Sequence, residues 1–67
     1  MKKFVKLRSK IMEIFGTQEE FSKAIGQSRV TVSQKLNGKI PFNSIEIKDW
    51  CKLLYIPEKK SGIYFTP

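Results

Sequence analysis

Within the stretch TQEEFSKAIGQSRVTVSQKLNG, Thr17 to Gly38, two short helices are each given a start and a stop. Thr17 followed by Glu20 is a capping box, in which the hydroxyl accepts the amide of the third helical residue and the carboxylate returns to the cap amide. A helix is therefore expected from Gln18. Phe21, Ala24 and Ile25 give it an inward face, Glu19 and Glu20 complement the positive end of its dipole, and Gly26 can take the left-handed conformation that closes it. Ser28 is a good N-cap for the next helix, whose inward residues Val32 and Leu36 lie four apart. That arrangement leaves Arg29, Val30, Ser33 and Gln34 outward, and Asn37 with Gly38 ends the helix. Two short helices joined by a glycine turn cross steeply and need further helices to cover their inward faces.

The flanking sequence supplies them. Phe4, Leu7, Ile11 and Ile14 with Phe15 recur at three- and four-residue intervals, so a first helix is predicted from about Lys2 to Phe15, with Gly16 ending it. Lys2, Lys3, Lys6 and Lys10 fall mainly off its apolar stripe, a pattern that suits a solvated face as well as one laid against phosphates. Pro41 disfavours helix at Ile40, so Lys39 to Phe42 reads as a loop. Asn43 with Glu46 forms a second capping box, opening a helix through about Leu54 whose buried stripe is Ile47, Trp50, Cys51 and Leu54. After Ile56, PEKKSG is read as a single helical turn or a loop. Ile63, Tyr64 and Phe65 form a short β-prone segment that either covers the core or pairs with a second copy. With 67 residues there is room for one domain, 1–67, of the all-α class with four to five helices.

Composition excludes several kinds of chemistry. There is no histidine and one cysteine, so a Cys/His metal site, a His-assisted catalytic pair and an internal disulfide are all excluded, and a reduced cytoplasmic compartment is expected. The carboxylates are scattered over helix starts and surfaces, with no nucleophile beside a plausible base, so no enzyme, cofactor or small-molecule substrate is expected. No run approaches the roughly 20 apolar residues of a membrane span, and no secretory signal is expected. The net charge of +7 attracts polyanions of any kind, but its distribution is more telling. From Phe21 to Ile45 there is no carboxylate, while Lys23, Arg29, Lys35 and Lys39 all fall in that block. A solvated helix face usually mixes both signs, and an acid-free block suits a surface lying on phosphates.

The major groove of duplex DNA, about 12 Å wide, accepts one helix. A helix used there needs a small cap near a phosphate, hydrogen-bonding or apolar tips on its outward positions, and no carboxylates beside the backbone. Ser28, Arg29, Val30, Thr31, Ser33 and Gln34 meet those requirements. Thr17 to Gly38 resembles the helix-turn-helix of the Cro and repressor proteins of temperate phages and the wider bacterial family that shares it: TQEE opens the motif, Ile25 and Gly26 mark the turn, Ser28 caps, Val32 and Ser33 follow, and LNGK closes it at Leu36 to Lys39. Three positions depart from the pattern. Ser22 stands where the family usually has Ala, Gln27 where an apolar residue follows the turn glycine, and Lys35 where an aromatic or apolar residue is common.

The resemblance implies a compact lambda-repressor-like DNA-binding domain. It implies that Arg29, Val30, Ser33 and Gln34 face base edges, that Gln18, Ser28, Asn37 and Lys39 serve the sugar-phosphate backbone, and that Gln27 and Thr31 fall between the two groups. Lys35 would cover apolar surface with its stem while its ammonium reaches the backbone. The function so implied is a sequence-specific, double-stranded-DNA-binding transcriptional regulator, acting as a homodimer on an operator with half-sites about one helical turn apart and with Ile63 to Phe65 as the candidate dimer contact. A reading from another class keeps the scaffold as a protein-interaction module, an antirepressor or a toxin-neutralising partner, whose basic surface meets an acidic protein. Membrane binding through the first helix is weaker, because Phe4, Leu7 and Ile11 are needed in the core.

Overall fold

The computed structural model describes residues 3–66. Five α-helices follow one another: α1 Val5–Phe15, α2 Gln18–Ile25, α3 Arg29–Leu36, α4 Ser44–Leu54 and α5 Ser61–Tyr64, with a 3₁₀ turn at Glu58–Lys60 leading into the last. Among the described residues there is no strand, and the all-α expectation holds. The β-prone segment does not. Ile63 and Tyr64 lie in α5 and Phe65 closes it, because the ring of Phe65 is drawn under the core, 5.0 Å from Phe42 and 6.2 Å from Trp50 between ring centroids. Tertiary packing here overrides local propensity.

The start of α1 also moves. Lys2 lies outside the described residues, and within them the helix begins only at Val5, since Phe4 adopts the left-handed conformation (φ 55°) and leaves the helical path. That turn carries the Phe4 ring inward, where it is buried and meets Phe42 edge to face at 5.4 Å. The expected stripe is otherwise kept: Leu7 and Ile11 are fully buried, and Ile14 and Phe15 pack against the core.

Trp50 on α4 is the hub. Its ring lies 4.7 Å from Phe21 and 4.9 Å from Phe42, both edge to face, and Phe21 continues to Phe15 at 5.3 Å. Such aromatic pairs contribute about 0.5–1.5 kcal/mol each beyond the area they bury. Val32, Leu36, Leu54, Cys51 and Ile56 complete the buried set. On α2 the inward face differs from expectation at one position: Ala24 is exposed, while Ser22 is buried. The Ser22 hydroxyl is satisfied by donating to the Glu19 carbonyl at 2.7 Å, so a small polar residue fits where helix packing is close.

Candidate nucleic-acid interface

The two motif helices are held by the caps read from sequence. Thr17 Oγ1 accepts the Glu20 amide at 3.1 Å, although the Glu20 carboxylate lies 3.7 Å from Lys23 Nζ instead of returning to the cap. Gly26, at φ 77°, closes α2, a conformation with little cost for glycine alone. Ser28 Oγ then accepts the Thr31 amide at 3.1 Å and donates to Thr31 Oγ1 at 2.9 Å, which fixes the first turn of α3. At the far end Lys39 N donates to the Gln34 carbonyl and Gly38 N to the Lys35 carbonyl, the paired bonds of a Schellman stop around Gly38 at φ 77°.

On this frame the outward set is largely where the spacing put it. Arg29 and Val30 are exposed, Val30 at 64%, and Thr31, Ser33 and Gln34 are half-buried along the same edge. Ser28, Asn37 and Lys39 are exposed, and Gln18 is half-buried at the start of α2. Gln18, Arg29 and Ser33 come together around an open cleft of about 560 Å³, with Thr17, Glu19 and Met12 completing its wall. Among the described residues Arg29 has no hydrogen-bond or ion-pair partner. Met12, 52% exposed on α1, was not anticipated: it lies off the apolar stripe and reaches the cleft only through the packing of α1 against the motif.

Two of the residues expected to contact DNA, Lys35 on the backbone and the borderline Gln27, bond instead to α4. The Lys35 side chain is buried, and its ammonium donates to Glu46 Oε1 at 2.8 Å, 5.7 Å from the centroid of the Phe42 ring. Gln27 Nε2 donates to the other carboxylate oxygen of Glu46 at 2.8 Å. Glu46 also accepts the Asn43 amide at 3.2 Å as half of a complete capping box, so one carboxylate ties the α2–α3 turn and α3 to the start of α4. The Lys35 ammonium and the Gln27 amide nitrogen are both committed to Glu46. The physical reason is the partly buried Glu46 carboxylate, which is stabilised by pairing, and these are the donors within reach. Burial pushes the Glu46 carboxyl upward, but the hydrogen bonds from Lys35, Gln27 and the Asn43 amide and the charge of Lys35 outweigh it, leaving the group below its ordinary value.

Arg8 is the second residue that sequence reasoning missed. Its Nη2 donates to the Leu36 carbonyl at 2.9 Å and to Asn37 Oδ1 at 2.6 Å, and its Nε donates to the Lys3 carbonyl at 2.9 Å. No local signal announces a contact between residues so far apart in the chain. Of the C-terminal trio expected to meet a second copy, Tyr64 and Phe65 pack on the core and Ile63 alone remains exposed, at 54%. No helix of the described residues is long and apolar enough to cross a membrane, and no group of three or more potential metal-ligating side chains occurs among them.

A short-helix domain with this motif and this outward edge has the fold of a small helical phage regulator. The chain belongs to the family described as protein of unknown function (DUF739), which matches residues 2–67. No curated protein matches it. Among solved structures it is similar to the solution structure of the modulator of repression (MOR) of the temperate bacteriophage TP901-1 from Lactococcus lactis. The two share 36% sequence identity over 96% of this chain and 86% of that one, with a TM-score of 0.86.

Proposed function

We propose that the protein regulates phage gene expression by placing the first turns of α3 in the major groove of an operator. The observation that carries this reading is the outward edge Arg29, Val30, Ser33 and Gln34, presented on a rigidly capped helix with Arg29 unpaired among the described residues. Arg29 can offer a guanine O6 and N7 two parallel donors, Gln34 can pair with an adenine edge, and Val30 can touch a thymine methyl. Gln18, Ser28, Thr31, Asn37 and Lys39 flank that edge as backbone contacts. Electrophoretic shift of mixed duplexes over a salt series tests it. The logarithm of affinity should fall linearly with log salt, and one sequence should be preferred. Salt-insensitive behaviour with no preferred duplex would reject it.

A second reading is favoured by a specific observation. Val30 on α3 and Met12, which lines the cleft beside Arg29 and Ser33, are exposed apolar side chains, and the inward turn of Lys35 removes a cation from the motif surface. The similar phage protein is named a modulator of repression, and on this reading the α2–α3 face docks onto a repressor protein rather than onto DNA. The two readings use one surface. Titrating isotope-labelled protein against duplex and against a phage repressor separates them by which titrant moves the amide resonances of residues 28–34.

A further inference from the structure

We infer that Arg8 is a positioning residue for the interface: it commits the side chain of Asn37 to acting as a donor at the C-terminal edge of α3. This rests on the DNA reading above. A guanidinium carries donors only, so the Asn37 amide can meet Arg8 Nη2 at 2.6 Å only through its oxygen, and the opposite assignment would set donor against donor. The Asn37 NH₂ group must then point away from Arg8. It lies 3.5 Å from Ser33 Oγ, at the limit of a hydrogen bond, on the exposed edge of α3. An amide oxygen facing a phosphate would repel it, whereas the NH₂ can donate to a phosphate oxygen.

Arg8 is itself held. The same Nη2 donates to the Leu36 carbonyl, one of the orphan acceptors at the end of α3, and Nε donates to the Lys3 carbonyl just before the left-handed turn at Phe4. Arg8 is half-buried, and its guanidinium is held by carbonyls from two segments, Lys3 before α1 and Leu36 at the end of α3. Arg8 acts on the interface through the amide it orients.

A double-mutant cycle read in duplex binding tests this. Asn37→Ala should weaken binding about fivefold, the worth of one such hydrogen bond, on every sequence alike. Arg8→Met should cost a similar factor in the wild-type background and less than twofold more in the Asn37→Ala background. Equal losses by Arg8→Met in both backgrounds would overturn the inference, leaving Arg8 as a fold-stabilising or bulk-charge contributor. Because Arg8→Met loosens α1, a measurement on the unaltered chain stands beside it: the side-chain NH₂ resonances of Asn37 should shift on adding duplex, and resonances that stay fixed in the bound state would also overturn it. A wild-type protein that shifts no duplex at all removes the DNA reading and this inference together. Duplex binding with an additive cycle removes only the role of Arg8.

Discussion

The Lys35 ammonium sits 2.8 Å from Glu46 Oε1, with the two side chains only 7% and 13% exposed, and so joins the working helix to α4 through an ion pair nearly closed to water. Glu46 is shared by Gln27 and the Asn43 amide, which makes the pair the centre of a four-residue junction. Removing one partner strands the other. Lys35→Ala should therefore destabilise the fold by about 2–3 kcal/mol in urea denaturation, the range for charge-assisted bonds in partly buried sites. Replacing both, as Lys35→Met with Glu46→Gln, should cost less than the sum of the singles. The salt dependence of duplex binding should be the same with Lys35→Met as without it, since the ammonium faces inward.

Acid should loosen the same junction. A carboxyl whose folded pKa is depressed contributes stability that is present above its unfolded value and is lost as pH falls through the folded value. For Glu46 the loss begins as pH drops below the ordinary 4.5. The thermal midpoint of the wild-type chain should fall through that range, and Glu46→Gln should flatten this part of the profile while lowering the midpoint at neutral pH. Parallel profiles for the two proteins would contradict the assignment.

Cys51 should be inert in the native state. Burial raises its thiol above the ordinary value, with the nearby Glu58 adding to the effect, and the side chain lies against the core. At pH 8 a thiol-specific reagent should label the unfolded chain rapidly and the native chain at least tenfold more slowly, following thiolate availability and access.

Gly38 is constrained by its backbone far more than by its neighbour. At φ 77° a side chain is strained, and a Cβ there would approach Lys3 Cδ to 2.8 Å, a contact the flexible lysine can relieve by moving. Gly38→Ala should cost about 1–2 kcal/mol, nearly all from the left-handed backbone. Thermal denaturation checks the value. A further Lys3→Ala substitution should leave it almost unchanged.

Arg29 and Lys39 should part company on DNA. Arg29→Ala should cost about 1–3 kcal/mol on the preferred sequence and relax choice at one base pair, whereas Lys39→Ala should weaken all sequences alike and reduce the salt slope by about 1. Identical behaviour of the two variants would undo the division into base and backbone contacts.

What the sequence made legible was what is local. Ser28 at the start of α3, Gly26 and Gly38 at the stops, and Asn43 with Glu46 at the head of α4 are short-range hydrogen-bond and dihedral requirements, readable within a few residues. The inward positions of α1, α3 and α4 followed from helical spacing in the same way. The misses are long-range. Lys35 looked like a surface cation because its partner is carried on another helix, and Arg8 gave no sign of a partner at Asn37. Ala24, inward by helical spacing, is exposed, while Ser22, at the position where the resembled family has Ala for close helix packing, is buried. Ile63 to Phe65 matched a strand by composition, but the aromatic cluster around Trp50 and Phe42 recruited Phe65 and closed the chain as a helix.

Selection of binding sites from random duplexes, run in parallel on the wild-type chain and on Arg29→Ala, decides whether α3 reads base edges. The wild type should recover a defined sequence containing a guanine whose preference disappears with Arg29→Ala, the other positions being retained. Recovery of an unenriched pool by the wild type, or of the same sequence by both proteins, would contradict it.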